Sequence, residues 1–402
     1  MKSKYSKMVA LAFVVALTGF LVLCIATPDE TFSEQENRNL KAFPELSAEA
    51  IIDGSFMEEF ETYSSDTVVG RDLWVKIKNL ADKSLGKKDN GNAYWGAEGF
   101  IFPAEYINPV QLEKNLTYIY EFVARAKERG LEKASIMAVP TSQEILKEYV
   151  PEHVQTADEQ MVLDMVEDKL ADGLEVIQVA DTLKANKDSK YIYYLTDHHW
   201  TQLGAYYGYR VWAEENGFEP LDPKDIQMVK AADEFYGTTY SKIATFNMQA
   251  DVMYVYKTPR MNEMTLEVDG KIMDMFDEHY LETKDKYSYF LSSNHPLAHL
   301  YRVKGGPEAV REALDKSAEA KEEMVAKATE GEKTLLIIKD SYANCFIPFV
   351  TEHYNNIYVV DLRYYKQSVL DLIEEKGVDE VLFLYNAIQL SNDMNLVFLK
   401  AQ

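Results

Sequence analysis

"MVALAFVVALTGFLVLCIA", from Met8 to Ala26, carries no charged side chain and is apolar almost throughout. As a helix it is long enough to cross roughly 30 Å of hydrocarbon. Lys2, Lys4 and Lys7 precede it, and a basic flank of this kind stays on the cytoplasmic side. A cleaved signal peptide has a shorter apolar stretch and a small-x-small cleavage site, and Ile25-Ala26-Thr27 is a poor match. Leu23 before Cys24 is too large for a lipoprotein cysteine. Residues 1–27 therefore read as a signal anchor, a single pass in the cell membrane, with everything beyond Pro28 outside the cytoplasm.

The remainder suits that placement. Cys345 is the one cysteine beyond the anchor, so no intramolecular disulfide is available there. Net charge is −24, and with the three flanking lysines set aside 39 bases face 66 acids. Such a surface repels nucleic acid and anionic lipid headgroups, and a neutral polymer is easier to accommodate than a polyanion. The 27 tyrosines against 4 tryptophans fit either sugar-binding surfaces or the edges of a core.

Residues 28–88 read as a helical membrane-proximal segment, with Ser47 as an N-cap and Ile51, Phe56, Phe60 and Tyr63 at helical spacing. Residues 89–402 form the main domain, reached through the glycine- and aromatic-rich "NGNAYWGAEGFIFPAE". Short apolar runs follow: "ASIMAVP" (134–140), "LEVIQVAD" (174–181), "TLLIIKDSY" (334–342), "NIYVVDLRYY" (356–365) and "EVLFLYNA" (380–387). They alternate with amphipathic helical stretches, which predicts an α/β fold with a mostly parallel sheet covered on both faces. Residues 224–332 break the rhythm. Polar and apolar residues alternate there, Asp269-Gly270 is a hairpin signal, and a charged helix is expected over Pro307 to Glu330. An antiparallel β insertion is the reading.

Ligands of such folds sit at the carboxyl ends of the strands. Asp340-Ser341 follows one strand, Asp361-Leu362-Arg363-Tyr364 another, and Asp197-His198-His199-Trp200 follows "KYIYYLT". Ser341 is either a helix cap or a nucleophile. A serine nucleophile needs a base, and the base needs an orienting carboxylate. In an extended segment Asp197 and His199 point the same way, whereas His198 and Trp200 point oppositely and support the turn. The same histidines could instead hold a metal, although adjacent histidines rarely converge on one ion. The pair with helical ligand spacing is His295 and His299, and Pro296 lies between them.

"YYLTDHHWTQLGAYYGY", "LLIIKDSYANCFIPF" and "VVDLRYY", together with "ENRNLKAFPEL" and "YWGAEGFIF", resemble the DHHW family of bacterial exported proteins. That family is related to the SGNH-hydrolase-like domain of alginate O-acetyltransferases. The resemblance implies a serine-dependent O-acetyltransferase or acetylesterase acting on a polysaccharide, with Asp197, His199 and Ser341 as the catalytic residues and no cofactor or metal. In the better understood relatives the acyl group comes from a membrane-bound O-acyltransferase partner. Lys339 departs from the family's pattern, since glycine usually precedes the Asp-Ser pair. The family's oxyanion asparagine has no fixed position here, and Asn294 and then Asn344 are the candidates. Arg363 and Tyr364 either hold sugar hydroxyls or an acyl carbonyl, or Arg363 braces the site against Asp340 or Asp361. Two rival classes stay open: a metal-dependent hydrolase using the DHHW histidines, and a non-catalytic glycan-binding surface protein.

Overall fold

The computed structural model describes residues 2–33, 35–36, 38–188 and 191–400. Two units are present: Met1–Asn90 with Ser241–Met248, and Gly91–Tyr240 with Gln249–Gln402.

The first unit begins with the helix Lys2–Ala26. Among the described residues this is the helix long and apolar enough to cross a membrane, and none of its apolar window is buried in the protein. A short antiparallel ribbon follows, β1 (Phe32–Ser33) with β2 (Arg38–Asn39). Helices Ala48–Ile52, Ser55–Asp66 and Arg71–Ser84 complete the unit. Ser47 caps the first of them, its hydroxyl accepting from the Ala50 amide. Buried Asp66 takes both terminal nitrogens of Arg38 and the Lys41 amide, tying the ribbon to the second helix.

In the second unit β3 (Ala93–Trp95) and β4 (Ile101–Pro103) form a hairpin. β7 (Gln227–Phe235) and β8 (Asp251–Lys257) form a longer antiparallel ribbon. The remaining strands are β5 (Lys133–Val139), β6 (Glu175–Val176), β9 (Met264–Val268), β10 (Lys271–Met273), β11 (Leu297–Arg302), β12 (Thr334–Lys339), β13 (Asn356–Val360) and β14 (Glu380–Asn386). They build one eight-stranded sheet in the order β10-β9-β11-β13-β12-β14-β5-β6. From β13 to β6 every neighbour is parallel, and from β10 to β13 every neighbour is antiparallel.

The apolar strand runs are explained by this sandwiching. Successive residues of a strand point to opposite faces. Leu335 and Ile337 enter one core with Trp200, Tyr209, Trp212 and Phe349. Leu336 and Ile338 enter the other with Leu116, Ile119, Phe122 and Val162. Helix Gln202–Glu215 covers the first face, and helices Pro109–Glu128, Glu159–Leu170 and Val369–Lys376 cover the second.

Several expected boundaries move. The strand over 174–181 shrinks to β6, because a helix starts at Ala180. The strand over 356–365 ends at Val360, where the Asp361 carbonyl accepts from the Tyr364 and Tyr365 amides and closes a turn. The helix over 307–330 is two helices, Gly306–Lys316 and Ala318–Thr329, parted at Ser317, whose hydroxyl caps the second. Asp269 and Gly270, both at positive φ, do form a two-residue hairpin turn. The strands of this interval pair antiparallel as expected, and β11 pairs with β13 and so extends the main sheet.

Candidate active site

The described part of "KYIYYLT", residues 191–196, is not a strand. Residues 195–199 form a continuous bend, closed by an isolated bridge between Tyr193 and Trp200. Buried Asp251 drives the bend, its carboxylate accepting from the Leu195 and Thr196 amides and from the hydroxyls of Thr196 and Tyr191. Desolvation raises the Asp251 pKa to about 6 against these hydrogen bonds. Helix Gln202–Glu215 begins directly afterwards, with the Thr201 hydroxyl as its cap.

The bend aims His199 at the end of β12. His199 Nε2 lies 2.7 Å from Ser341 Oγ, and His199 Nδ1 lies 2.5 Å from Asp197 Oδ1. Asp197 is 2 % exposed and His199 4 %, while Ser341 is half-buried. Burial by itself would raise the Asp197 pKa. The charges of His199 and His198 and the hydrogen bonds from His199 outweigh it and hold the carboxyl well below the usual range. An ionised Asp197 only accepts, so His199 Nδ1 carries the proton and Nε2 presents a lone pair to the Ser341 hydroxyl. Asp197 is itself held, since its Oδ1 takes the His199 amide and its Oδ2 takes the amide and hydroxyl of Thr238. Gly237 permits that approach: a Cβ there would stand 2.2 Å from the Asp197 carboxylate.

Tyr287 covers the imidazole, its ring 3.7 Å from that of His199 and nearly parallel to it. Its hydroxyl donates to the Ser341 carbonyl at 3.0 Å. Burial lifts its pKa well above the ordinary value, so it stays neutral. Asp340 fixes the serine's turn from below, Oδ1 accepting from the Tyr342 amide and Oδ2 from the Asn386 amide and side chain. Burial pushes the Asp340 pKa up to about 6, opposed by those hydrogen bonds and by Arg363 and His199.

A cavity of about 110 Å³ opens over Ser341, lined also by Thr141, Ser142, His198, Arg363 and Asn386. This is the room of a few waters, suited to a small acyl group rather than a whole sugar ring. A larger hollow of about 440 Å³, between the helix Glu159–Leu170 and residues 176–184, contains no serine, cysteine or histidine.

The other expected residues fall elsewhere. Asn294 and Asn344 do not line the cavity. Their side-chain oxygens accept from buried Lys339 Nζ at 2.6 and 2.7 Å, which holds both amides in a cluster beside the site. Lys339 is thus the hub of a polar cluster that includes Asp361 at 3.5 Å, and burial lowers its pKa to about 8. Arg363 forks onto both Asp361 oxygens, the bracing alternative, while still lining the cavity. Tyr364 is 52 % exposed and stands outside it. His198 does not point away. Its ring lies 3.8 Å from that of His199, and its Nδ1 pairs with the Thr238 hydroxyl, because the segment is bent rather than extended. Trp200 does support the turn, donating to the Tyr342 carbonyl.

Ligand atoms of Asp197, His198 and His199 lie within 4.8 Å of one another, a spacing that could hold a metal ion. The donors fit one poorly. Asp197 already accepts four hydrogen bonds, and His199 uses both ring nitrogens. His295 and His299 are not a helical ligand pair, since β11 carries His299, which bonds Asn356 and stacks on Tyr358. Thr238, Gly237, Tyr287 and Asn386 had escaped notice in the sequence. Asn386 closes the strand "EVLFLYN", and attention to strand ends would have found it.

Residues 94–265 match the family described as the SGNH hydrolase-like domain of acetyltransferase AlgX. The fold is SGNH hydrolase-like. The matched stretch contains Asp197 and His199 and stops before Ser341. A probable alginate O-acetylase AlgJ of Pseudomonas aeruginosa is 24 % identical over 179 residues, 42 % of this chain and 44 % of that protein. The chain thus spans less than half the length of that relative. A DHHW family protein from Eubacterium siraeum superposes with a TM-score of 0.57 at 22 % identity, covering 75 % of this chain and 92 % of the other. Bacillus cereus PatB1, in a structure with a sulfonyl adduct, gives 0.57 at 20 % identity, covering 74 % and 94 %. These two superpositions bear on the fold, and the SGNH hydrolase-like domain here shares it with both.

Proposed function

We propose that this SGNH hydrolase-like domain is an extracytoplasmic, serine-dependent O-acetyltransferase or acetylesterase acting on a polysaccharide. The observation that carries the reading is the hydrogen-bonded chain Asp197–His199–Ser341 at the carboxyl ends of the parallel strands. His199 Nε2 takes the proton of Ser341 as Oγ attacks an ester carbonyl, and Asp197 stabilises the imidazolium that forms. The tetrahedral oxyanion needs donors. Two candidates are the Ser341 amide, at the start of a helical turn where amides lack intrahelical partners, and the second N–H of Asn386 Nδ2, whose first goes to Asp340. The imidazolium then returns its proton to the leaving alcohol, and an acetyl-serine remains. A glycan hydroxyl or water, deprotonated by His199, resolves it. The polysaccharide substrate rests on the likeness to the alginate O-acetylase, and the anchor reading supplies the extracytoplasmic location. The family resemblance, rather than the site itself, suggests a membrane-bound O-acyltransferase as the partner that brings the acyl group.

Mass spectrometry after incubation with a chromogenic acetyl ester tests the chemistry. An acetyl adduct on Ser341 is expected, and it should be absent in His199→Ala. Turnover with no adduct, or with an adduct on another residue, refutes the assignment. Adding oligosaccharide acceptors then separates transfer from hydrolysis, by the appearance of acetylated sugar in place of acetate.

A further inference from the structure

Helix Arg71–Ser84 is inside out. Leu73, Trp74, Ile77 and Leu80 are 42–52 % exposed, while Asn79 and Asp82 are buried. Asn79 donates to the Ala244 carbonyl, and Asp82 accepts from Lys78 and pairs with Lys87. The polar side of the helix therefore packs on its own unit, and the apolar side faces outward. At 100° per residue Leu73, Ile77 and Leu80 fall on one stripe with Trp74 beside them. By the same arithmetic Lys78 stands to one side of that stripe and Lys76 and Lys83 to the other.

Four large apolar side chains displayed together call for a cover, and the unit itself indicates which. Trp74 packs edge-on against Phe20, ring centres 6.3 Å apart. Phe20 lies six residues before the end of the helix Lys2–Ala26, roughly 9 Å below that end at 1.5 Å per residue. If that helix crosses a bilayer, Trp74 is held near the boundary of headgroups and acyl chains, a depth at which tryptophan is enriched. Lys76 and Lys83, beside the apolar stripe and long enough to reach up to the headgroups, complete the pattern of a helix lying in the membrane plane.

We propose that Arg71–Ser84 is an interfacial helix, its Leu73–Trp74–Ile77–Leu80 face seated in the outer leaflet of the membrane that the N-terminal helix crosses. Two membrane contacts in one unit, one spanning and one lying flat, fix its tilt as a single anchor would not. The inference rests on the anchor being retained and is independent of the acyl-transfer chemistry.

The protein supplies its own probe. Of the four tryptophans, Trp95, Trp200 and Trp212 are buried and Trp74 is half exposed. The full chain, its intact mass verified, is reconstituted into phosphatidylcholine vesicles with and without bromine on the acyl chains. Brominated lipid should quench the fluorescence component that Trp74→Phe removes, and aqueous iodide should leave that component untouched. Quenching by iodide but not by brominated lipid would place the helix in water and overturn the proposal. Quenching by neither, together with disulfide cross-linking of Ile77→Cys between chains, would show the face covered by a second copy and overturn it equally. Hydrolysis of a soluble acetyl ester should be unchanged in Trp74→Phe.

Discussion

His199 Nε2 and Ser341 Oγ stand 2.7 Å apart although 142 residues separate them along the chain. The ionised Asp197 leaves Nε2 as the acceptor, so the pair is poised for proton transfer in one direction. Ser341→Ala and His199→Ala should each lower acetyl-ester turnover by on the order of 10⁶-fold. Both should leave the melting temperature nearly unchanged. Steady-state kinetics with calorimetry on the same preparations checks this, and loss of activity through unfolding would not count in its favour.

Gly237 touches no substrate, yet a methyl group there meets the Asp197 carboxylate at 2.2 Å. Gly237→Ala should shift the carboxylate, misaim the imidazole and cost about 10²-fold in kcat, in line with the sensitivity of aligned groups to displacements near 1 Å. KM should change little. Wild-type kcat in this variant would mean that the loop carrying Thr238 yields freely.

A metal held by Asp197, His198 and His199 would make chelators inhibitory, and Ser341→Ala would spare activity. The hydrogen-bond saturation of Asp197 predicts the reverse. Dialysis against a strong chelator should leave turnover intact, and His198→Ala, which removes the Thr238 contact and the ring packed on His199, should lose much less than His199→Ala. Restoration of activity by added Zn²⁺ after chelation would favour the metal reading.

Glu159 gives a pH signature. It is fully buried, with its oxygens on the Thr141 amide and hydroxyl, and burial pushes its pKa up to about 8 from an ordinary 4.5. Between those values the folded protein keeps a proton that the unfolded chain releases, so this group's contribution to stability falls as pH rises from about 4.5 to 8 and levels off above. Glu159→Gln keeps the shape of the protonated acid. Its melting temperature should match wild type near pH 5 and exceed it by a growing margin toward pH 8. Parallel curves would mean that Glu159 titrates normally.

What the sequence disclosed follows from what is local. The apolar runs of β5, β12, β13 and β14 announce buried strands because both faces of the sheet are covered, and the two-residue spacing of Asp197 and His199 survives as a contact. The reason for that contact was not legible. Alternation in an extended segment would have turned His198 away, whereas the segment is bent by Asp251, more than fifty residues downstream. The bonds of Asn294 and Asn344 to Lys339 were not legible either, since the lysine stands out in the sequence but its burial and its reach to Asn294, 45 residues away, do not. β11 was hidden because its partners, β9 and β13, lie far away on either side.

The strand order has a consequence for how the chain acquires its shape. β5 and β6 come early, β9, β10 and β11 come next, and β12, β13 and β14 are made last yet occupy the middle of the sheet. Until those three arrive, two half-sheets wait with open edges, and the pairings that tie the three to them, β13 with β11 and β14 with β5, span long stretches of chain, a topology that slows folding. β12, whose end leads into Ser341, is the innermost of the three. Closing the sheet and bringing the nucleophile to its base are therefore one event, and a chain halted before it would be inert and prone to pair with its neighbours.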